Sequence, residues 1–375
     1  MKVVYNSFNG RYSDNPRAIF EALLARRPGL AHVWLADARH AHGFPPGVAT
    51  VPIASDQAVE ALESADVVVA NGHTDLDVWS KQPETVYLQT WHGTPLKRIH
   101  RSALSHPDAA VMAQMDAEIA RWDHLISPSP AATALLRSAF GYTGSVLETG
   151  YPRNDPLAGP GAADRRARAR MGLGLAEGTT VVLYAPTYRD DDVADPDVVL
   201  GLDLPGLADR LGEDHVILLR RHYYLGHRRS PAASPRVLDL SSHPDISELY
   251  LAADVLVTDY SSSVFDFAVT GRPIVLYAYD LEHYRDRLRG FTLDLATELP
   301  GPVVQEEAAL ADVLGDLPRL RADWAQRHAA FADRYGRLED GRAAQRVVDA
   351  VWPTEVSGQR ARATRASSQT GSSAS

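Results

Sequence analysis

Residues 85–98 read TVYLQTWHGTPLKR and change character halfway along. The first half favours a β-strand, and the apolar pattern then breaks at Trp91-His92-Gly93. Thr94 followed by Pro95 is typical of a helix start, with Thr as the N-cap and Pro at the first helical position. A strand end, a turn and a helix N-terminus together present backbone N–H groups that favour an anion. With a histidine in the turn and two cations beyond it, the segment predicts a site that moves a phosphoryl group.

A second segment shows the same pattern, a predicted strand followed by basic residues and a histidine. Residues 216–219 favour a strand, which runs into Arg220, Arg221 and His222. Taken alone, the first segment is as compatible with a buried histidine beside a tryptophan as with a phosphate site. The repetition favours the phosphate site, because arginine binds phosphate oxygens with a two-pronged fork and an adjacent histidine can supply a proton.

Composition limits the classes of function. The 375 residues are 45% hydrophobic and 23% charged, which is ordinary for a soluble globular protein, and no apolar run approaches the ~20 residues that span a bilayer. The absence of cysteine excludes disulfides, thiolate catalysis and cysteine-ligated metals. A net charge of −10 disfavours nonspecific electrostatic binding of nucleic acid. Any anionic substrate must therefore be bound by local basic clusters. No secretory signal is evident at the N-terminus, in agreement with a cytoplasmic location.

Short apolar strands alternate with amphipathic helices along most of the chain, which predicts α/β architecture with parallel sheets covered on both faces. The predicted strands are residues 2–5, 32–35, 67–70, 86–90, 124–127, 146–149, 181–185, 216–219, 237–240, 255–258 and 274–277. A Gly- and Pro-rich linker near residue 160 divides the chain into predicted domains 1–156 and 157–352. Residues 353–375 are predicted to be disordered, since their composition cannot bury a core.

The unusual polar strings follow predicted strands, where open α/β sheets bind their ligands. These strings are Trp91-His92-Gly93, Arg153, Pro186-Thr187, Arg220-Arg221-His222 and 259–263. Two facing domains would bring them around one cleft. The three serines after Asp259-Tyr260 precede a helix and suit a diphosphate, whereas N-capping needs only one of them. Asp266 is placed either to accept hydrogen bonds from ligand hydroxyls or to brace the serine loop.

Two further features are given the simpler interpretation. The acidic run 190–192 is interpreted as a surface loop and not as a metal site, and the scattered histidines show no ligand spacing. We therefore predict no metal and no cofactor. Three tail arginines, Arg360, Arg362 and Arg365, are interpreted as solvated, with contact to a membrane surface as the alternative.

Several strings together resemble the CDP-glycerol glycerophosphotransferase family of teichoic acid and capsule polymerases and primases. They are SFNGRYSDNPRAIF, QTWHGTPLKR, TGYPRNDPL, LYAPTYRDD, DISELYLAADVLVTDYSSSVFDFA, GRPIVLYAYD and LEDGRAAQRVV. The resemblance covers roughly residues 1–350. WHGTPLK, and TDYSS with the FDF that follows, are the specific motifs.

The resemblance implies a GT-B-like fold, two Rossmann-like domains facing across a cleft. It implies transfer of an alditol phosphate from a CDP-alditol, most simply CDP-glycerol, to a hydroxyl of a glycopolymer or a polyprenyl-linked acceptor, with release of CMP. By the resemblance, His92 is the general base, while His222 with Arg220 and Arg221 holds the diphosphate. Further positions match family donor-binding residues: Gly93, Thr94, Pro95, Leu96, Arg153, Pro186, Thr187, Ser261, Ser262 and Asp266.

The chain departs from the family pattern in three places. It lacks the long N-terminal membrane-associated region of many family polymerases, so only a peripheral contact with the inner face of the membrane is left open. A third serine, Ser263, extends the usual pair, and Tyr223-Tyr224 replaces a proline after the second histidine. A glycosyltransferase that uses a nucleotide sugar and a glycopolymer-binding protein with a degenerate site are the alternative functions, because a fold alone does not fix the chemistry.

Overall fold

The computed structural model describes residues 1–74, 79–104, 108–187, 189, 201–221 and 234–353. The first half of the chain forms a seven-stranded parallel sheet in the order β3-β2-β1-β4-β5-β6-β7. Its strands are β1 (Lys2–Asn6), β2 (Ala31–Ala36), β3 (Thr50–Pro52), β4 (Val67–Ala70), β5 (Val86–Gln89), β6 (His124–Ser127) and β7 (Ser145–Glu148).

The second half forms a six-stranded parallel sheet in the order β10-β9-β8-β11-β12-β13. Its strands are β8 (Thr180–Ala185), β9 (His215–Leu219), β10 (Val237–Asp239), β11 (Val255–Thr258), β12 (Ile274–Tyr277) and β13 (Val303–Val304). In both sheets the strand order reverses beside the first strand of the sheet, as in doubly wound folds. The predicted α/β class with parallel sheets is confirmed.

Helices connect the strands and cover the sheets. In the first half they are α1 (Asp14–Arg26), α2 (Asp56–Glu63), α3 (Ala109–Ala120) and α4 (Pro130–Phe140). In the second half they are α5 (Ala162–Gly172), α6 (Leu204–Leu211), α7 (Ile246–Ala252), α8 (Ser263–Ala268), α9 (Leu281–His283), α10 (Leu295–Glu298), α11 (Glu307–Leu314), α12 (Leu317–Gly336) and α13 (Ala343–Val351). None of the helices that the structure describes is long and apolar enough to cross a membrane.

Helix α4 shows how local sequence sets the bounds of an element. The Ser129 hydroxyl accepts a hydrogen bond from the Ala132 N–H, and Pro130 occupies the first turn, where its missing N–H costs nothing. Gly141 ends the helix in the left-handed conformation at φ 62°. The central strands β4 and β11 are buried along their whole length, because helices cover both faces of each sheet.

The chain crosses back to the first sheet at its C-terminal end. Val347 and Val348 of α13, with Trp352, pack into the core formed by β1 and α1. Arg27, which caps α1, donates a hydrogen bond of 2.6 Å to the Trp352 carbonyl. The division into 1–156 and 157–352 remains a prediction, and α13 lies on the sheet of the other half.

The prediction that a helix begins at Thr94 is wrong. Residues 94–98 are not helical, and Lys97 forms an antiparallel bridge with Phe291. The Leu96 carbonyl accepts the Thr292 N–H at 2.8 Å, and the Arg98 N–H donates to the Gly290 carbonyl at 3.2 Å. Backbone pairing with the second half of the chain therefore replaces the hydrogen bonds that a helix would have made.

Some predictions concern residues outside the described part of the chain. They are the role of His222, the tyrosines that follow it, the acidic run 190–192 and the disorder of the C-terminal tail beyond residue 353.

Candidate functional site

His92 lies in the turn after β5, half-buried at the first sheet's carboxyl edge. Its Nδ1 is 2.7 Å from the backbone carbonyl oxygen of Asn71, which directly follows β4. Because a carbonyl oxygen only accepts hydrogen bonds, Nδ1 of the neutral ring carries the proton. The lone pair is then on Nε2, the nitrogen that can accept a proton from a substrate.

The surroundings of His92 keep the imidazole neutral. Burial lowers the pKa of His92 below its usual value, and the positive charge of Arg153 lowers the pKa further. The Asn71 carbonyl and the Asp14 carboxylate oppose this shift without reversing it. The ring packs on Trp91 with centroids 4.2 Å apart and on Phe8 at 5.4 Å. The result is a fixed, uncharged imidazole suited to general base catalysis.

Two buried asparagines hold the turn that carries His92. Asn71 Oδ1 accepts the Phe8 N–H at 2.9 Å, which ties the loop after β1 to the end of β4. Asn15 Nδ2 donates to the Trp91 carbonyl at 3.2 Å, while its Oδ1 accepts the Arg153 N–H at 3.1 Å. Asn15 therefore links the His92 turn to Arg153 through one side chain.

Gly93 brings this turn against the second half of the chain. Its backbone φ of 142° is one that residues with a side chain rarely adopt. A Cβ at this position would lie 2.9 Å from Ser262 Oγ and 3.3 Å from Arg153 Nη2. Gly93, Arg153 and Ser262 thus come together, as the predicted convergence of strand ends requires.

Arg153 is a buried guanidinium between two carboxylates. Its Nη1 donates to Asp14 at 3.0 Å, and its Nη2 donates to Asp266 at 2.9 Å. Asn154 Nδ2 adds a hydrogen bond of 2.9 Å to Asp266. Asp266 thus pairs with Arg153 and Asn154, while the two roles predicted for it, accepting hydrogen bonds from ligand hydroxyls and bracing the serine loop, stay predictions.

The serine loop lies at the start of α8. Ser263 is the first residue of that helix and is buried, whereas Ser261 and Ser262 are half-buried. Ser261 Oγ accepts the Ser263 N–H at 3.2 Å. Among the described residues, the backbone N–H groups of Ser261 and Ser262 meet no acceptor. The two serines predicted to bind the donor are thus the two that remain accessible.

The other predicted donor-binding residues follow β5 and β8. After β5, Thr94, Pro95 and Leu96 are buried. The Thr292 hydroxyl donates to the carbonyls of Pro95 and Leu96 at 2.6 and 3.0 Å. Pro186 is half-buried at the end of β8, and the Thr187 N–H donates to Asp259 at 2.9 Å.

Arg220 and Arg221, which follow β9, donate hydrogen bonds to residues in the second half of the chain. Arg220 Nη1 donates to the carbonyls of Leu240, Ser241 and His243 at 2.9, 2.7 and 2.6 Å. Arg221 donates to Asp239 at 2.8 Å. Burial lowers the pKa of Arg220, and the nearby charge of Arg11 adds to this shift.

The model of the CDP-glycerol:poly(glycerophosphate) glycerophosphotransferase family matches residues 1–353. The chain belongs to this family. A teichoic acid glycerol-phosphate transferase of Staphylococcus aureus (strain NCTC 8325 / PS 47) is 37% identical over 366 residues, covering 93% of this chain and 92% of that protein. A teichoic acid poly(glycerol phosphate) polymerase of Bacillus subtilis (strain 168) is 34% identical over 94% of this chain. The chain spans about half the length of the Bacillus subtilis polymerase (49%).

Solved structures confirm the GT-B-like fold of this glycerophosphotransferase family member. The wall teichoic acid polymerase TagF matches with a TM-score of 0.85 at 34% identity, covering 93% of this chain and 88% of that one. A histidine-to-asparagine variant of TagF soaked with CDPG gives a TM-score of 0.86, with the same identity and coverage. A UDP-GlcNAc 2-epimerase from Neisseria meningitidis, 12% identical with a TM-score of 0.55 over 93% of this chain and 99% of that one, is similar in fold alone.

Sequence reasoning did not single out several residues that shape the site of this glycerophosphotransferase. Asn15, Asn71 and Asp14 hold the His92 turn and Arg153, and Arg189 packs beside Thr187. One signal was available, since Asn71 directly follows the apolar strand β4. Asn15 and Asp14 gave no comparable signal, because a helix start accounts for both residue types.

Proposed function

We propose that this chain transfers glycerol phosphate from CDP-glycerol to a hydroxyl of a teichoic-acid-type polymer or its lipid-linked precursor, with release of CMP. Membership in the glycerophosphotransferase family gives the class of reaction. The observation that carries the proposal is the hydrogen bond from His92 Nδ1 to the Asn71 carbonyl, because it leaves Nε2 as a proton acceptor in a neutral ring.

In the proposed reaction, His92 Nε2 takes the proton of the acceptor hydroxyl. The acceptor oxygen attacks the phosphorus that carries glycerol, and the bond from that phosphorus to the oxygen bridging the two phosphates breaks. CMP leaves with the bridging oxygen and both electrons of the broken bond. The proton on His92 passes to solvent before the next turnover. A base at this position typically contributes ~10²–10⁴-fold to the rate.

The donor diphosphate is assigned to the second half of the chain. Ser261 and Ser262 offer hydroxyls and backbone N–H groups beside Gly93. Among the described residues, every hydrogen bond of the Arg220 side chain runs through Nη1, which leaves its other N–H groups for phosphate oxygens. The charge of Arg11 helps to lower the pKa of Arg220, and an anion bound at Arg220 would offset this repulsion. His222, Arg221, Pro186 and Thr187 retain their predicted donor-side roles in this proposal.

The relatives motivate the choice of acceptor. Proteins named for glycerol-phosphate transfer or polymerisation in teichoic acid synthesis match over 93% and 94% of the chain. We infer a glycopolymer acceptor carried on a polyprenyl lipid, and hence that the protein works at the inner face of the membrane through peripheral contact. The alternative, a glycosyltransferase with a nucleotide-sugar donor, rests on the fold alone.

One experiment separates these functions. Purified protein is incubated with CDP-glycerol, CDP-ribitol, UDP-sugars and GDP-sugars, each with a lipid-linked or oligosaccharide acceptor, and the released nucleotide is identified. Release of CMP from CDP-glycerol, dependent on acceptor and lost in His92→Ala, is the expected result. Release of CMP from CDP-ribitol alone would change the alditol, and release of UDP or GDP would contradict the proposal.

A further inference from the structure

Arg189 is a buried charge with no part in the reaction proposed above. It follows Pro186 and Thr187 beyond the end of β8 and is only 5% exposed. A charged side chain is rarely buried to this extent without partners. Its contacts therefore indicate what the charge is for.

The guanidinium of Arg189 joins the ends of three strands. Nη1 donates to the Thr187 carbonyl at 2.7 Å, beyond β8, and to Asp259 at 2.8 Å, beyond β11. Nε and Nη2 donate to the two oxygens of Asp280, beyond β12, at 2.7 and 2.9 Å. The rings of Tyr260 and Tyr284 lie 5.1 and 5.0 Å from its central carbon. Such a two-pronged pairing has a fixed geometry that lysine cannot reproduce.

The carboxylate held by Arg189 in turn fixes two donor-side loops. Asp259 accepts the Thr187 N–H at 2.9 and 3.1 Å and the Tyr260 N–H at 2.6 Å. One loop contains Pro186 and Thr187, and the other leads into the serine loop. The position of both loops thus depends on the ion pair between Arg189 and Asp259.

Charge balance gives Arg189 a second effect. Asp259 and Asp280 lie on two sides of a single guanidinium, so its removal leaves two uncompensated negative charges in contact with Thr187 and with Tyr260, which precedes the serine loop. Like charge at short range disfavours an anionic ligand, most of all where burial weakens solvent screening.

We propose that Arg189 is a positioning residue for the donor: without touching CDP-glycerol, it fixes the Thr187 and serine loops through Asp259 and neutralises the two carboxylates that adjoin these loops. This inference rests on the proposed function, since it concerns the affinity of the same donor site. It assigns Arg189 an effect on donor binding and none on the chemical step at His92.

The test compares CDP-glycerol KM and kcat, by CMP release, in the wild type, Arg189→Gln and Arg189→Gln with Asp280→Asn. The single variant is expected to raise KM roughly ten- to hundredfold, the range for loss of a charge-assisted contact, while kcat stays within about threefold. The second substitution removes one surplus charge and retains the acceptor for the Tyr260 hydroxyl, so KM should return toward the wild-type value. Arg334→Gln, which breaks an exposed pair with Glu298, is the matched control and should match the wild type.

The outcomes test separately the positioning role of Arg189, its charge-balance effect and the proposed function. A folded Arg189→Gln with wild-type KM overturns the inference, and a double variant no better than the single one overturns its charge-balance part. If Arg189→Gln does not fold, Arg189→Lys replaces it, with a several-fold higher KM expected and an unchanged KM overturning the inference. Failure of the wild type itself to bind CDP-glycerol in calorimetry and to release CMP contradicts the proposed function instead.

Discussion

Arg153 Nη2 lies 2.9 Å from each carboxylate oxygen of Asp266, and the two residues come from opposite halves of the chain. The side chains are only 7% and 9% exposed. Arg153 also holds Asp14 at the start of α1. Through these two ion pairs Arg153 joins α1, whose Asn15 holds the His92 turn, to α8, which follows the serine loop. The two sides of the site are therefore fixed relative to one another.

Replacing Arg153 with methionine should destabilise the protein strongly. Asp14 and Asp266 would be left buried without their cation, and breaking a buried pair in this way costs about 3–5 kcal/mol. The free energy of unfolding, measured by denaturant titration, checks the prediction. Arg319→Gln removes an exposed pair with Asp323 (78% and 60% exposed) and should change stability by less than about 1 kcal/mol. Equal effects of the two substitutions would contradict the structural role of Arg153.

His92→Ala should lower kcat by about 10²–10⁴-fold without loss of folded structure. The wild-type pH profile should show an acid limb below the ordinary histidine pKa of about 6.5, because burial lowers the pKa of His92 and only the neutral ring accepts a proton. This acid limb should disappear from the residual activity of the variant. Circular dichroism and the melting temperature verify the fold.

His42→Ala is the control for His92, since His42 is exposed in a short helix and takes no part in the contacts described for the site. Its activity and pH profile should equal those of the wild type. A folded His92→Ala that retains near-normal turnover would remove His92 from its role as base.

Gly93→Ala should impair the enzyme through contact as well as strain. The new methyl group would meet Ser262 and Arg153, so the His92 turn must move away from the serine loop. Gly174→Ala, at φ +67° with open space around it, introduces strain alone. Both substitutions should cost on the order of 1–3 kcal/mol of stability, whereas only Gly93→Ala should reduce kcat/KM. Comparable loss of activity in both variants would contradict the close approach at Gly93.

Glu339 should make stability depend on pH. Burial raises the pKa of Glu339 from 4.5 to about 8, and its carboxyl accepts the Tyr151 N–H at 3.0 Å. The protonated acid is favoured in the folded state, so its contribution is complete below about pH 4.5 and is lost as the pH rises through about 8. The melting temperature of the wild type should fall over this interval relative to that of Glu339→Gln. Parallel curves for the two proteins would show that Glu339 does not titrate in this way.

The sequence predicted the strands well, because parallel strands covered on both faces must be short apolar runs. Val67–Ala70, His124–Ser127, Val255–Thr258 and Ile274–Tyr277 have the predicted bounds. It also predicted that polar strings at strand ends would meet, as Gly93, Arg153 and Ser262 do. The helix at Thr94 was predicted from an N-cap pattern that is purely local, and pairing with residues 290–292 overrode it.

Local pattern and contiguous motifs were enough to predict the α/β class, the family and the residue types at the strand ends. The tautomer of His92, the two carboxylates around Arg153 and the cluster around Arg189 became known from the folded structure. These features join residues separated by 21 to 139 positions. Whether a buried charge meets a substrate or another side chain depends on which distant segments fold against it, and residue type alone does not carry that information.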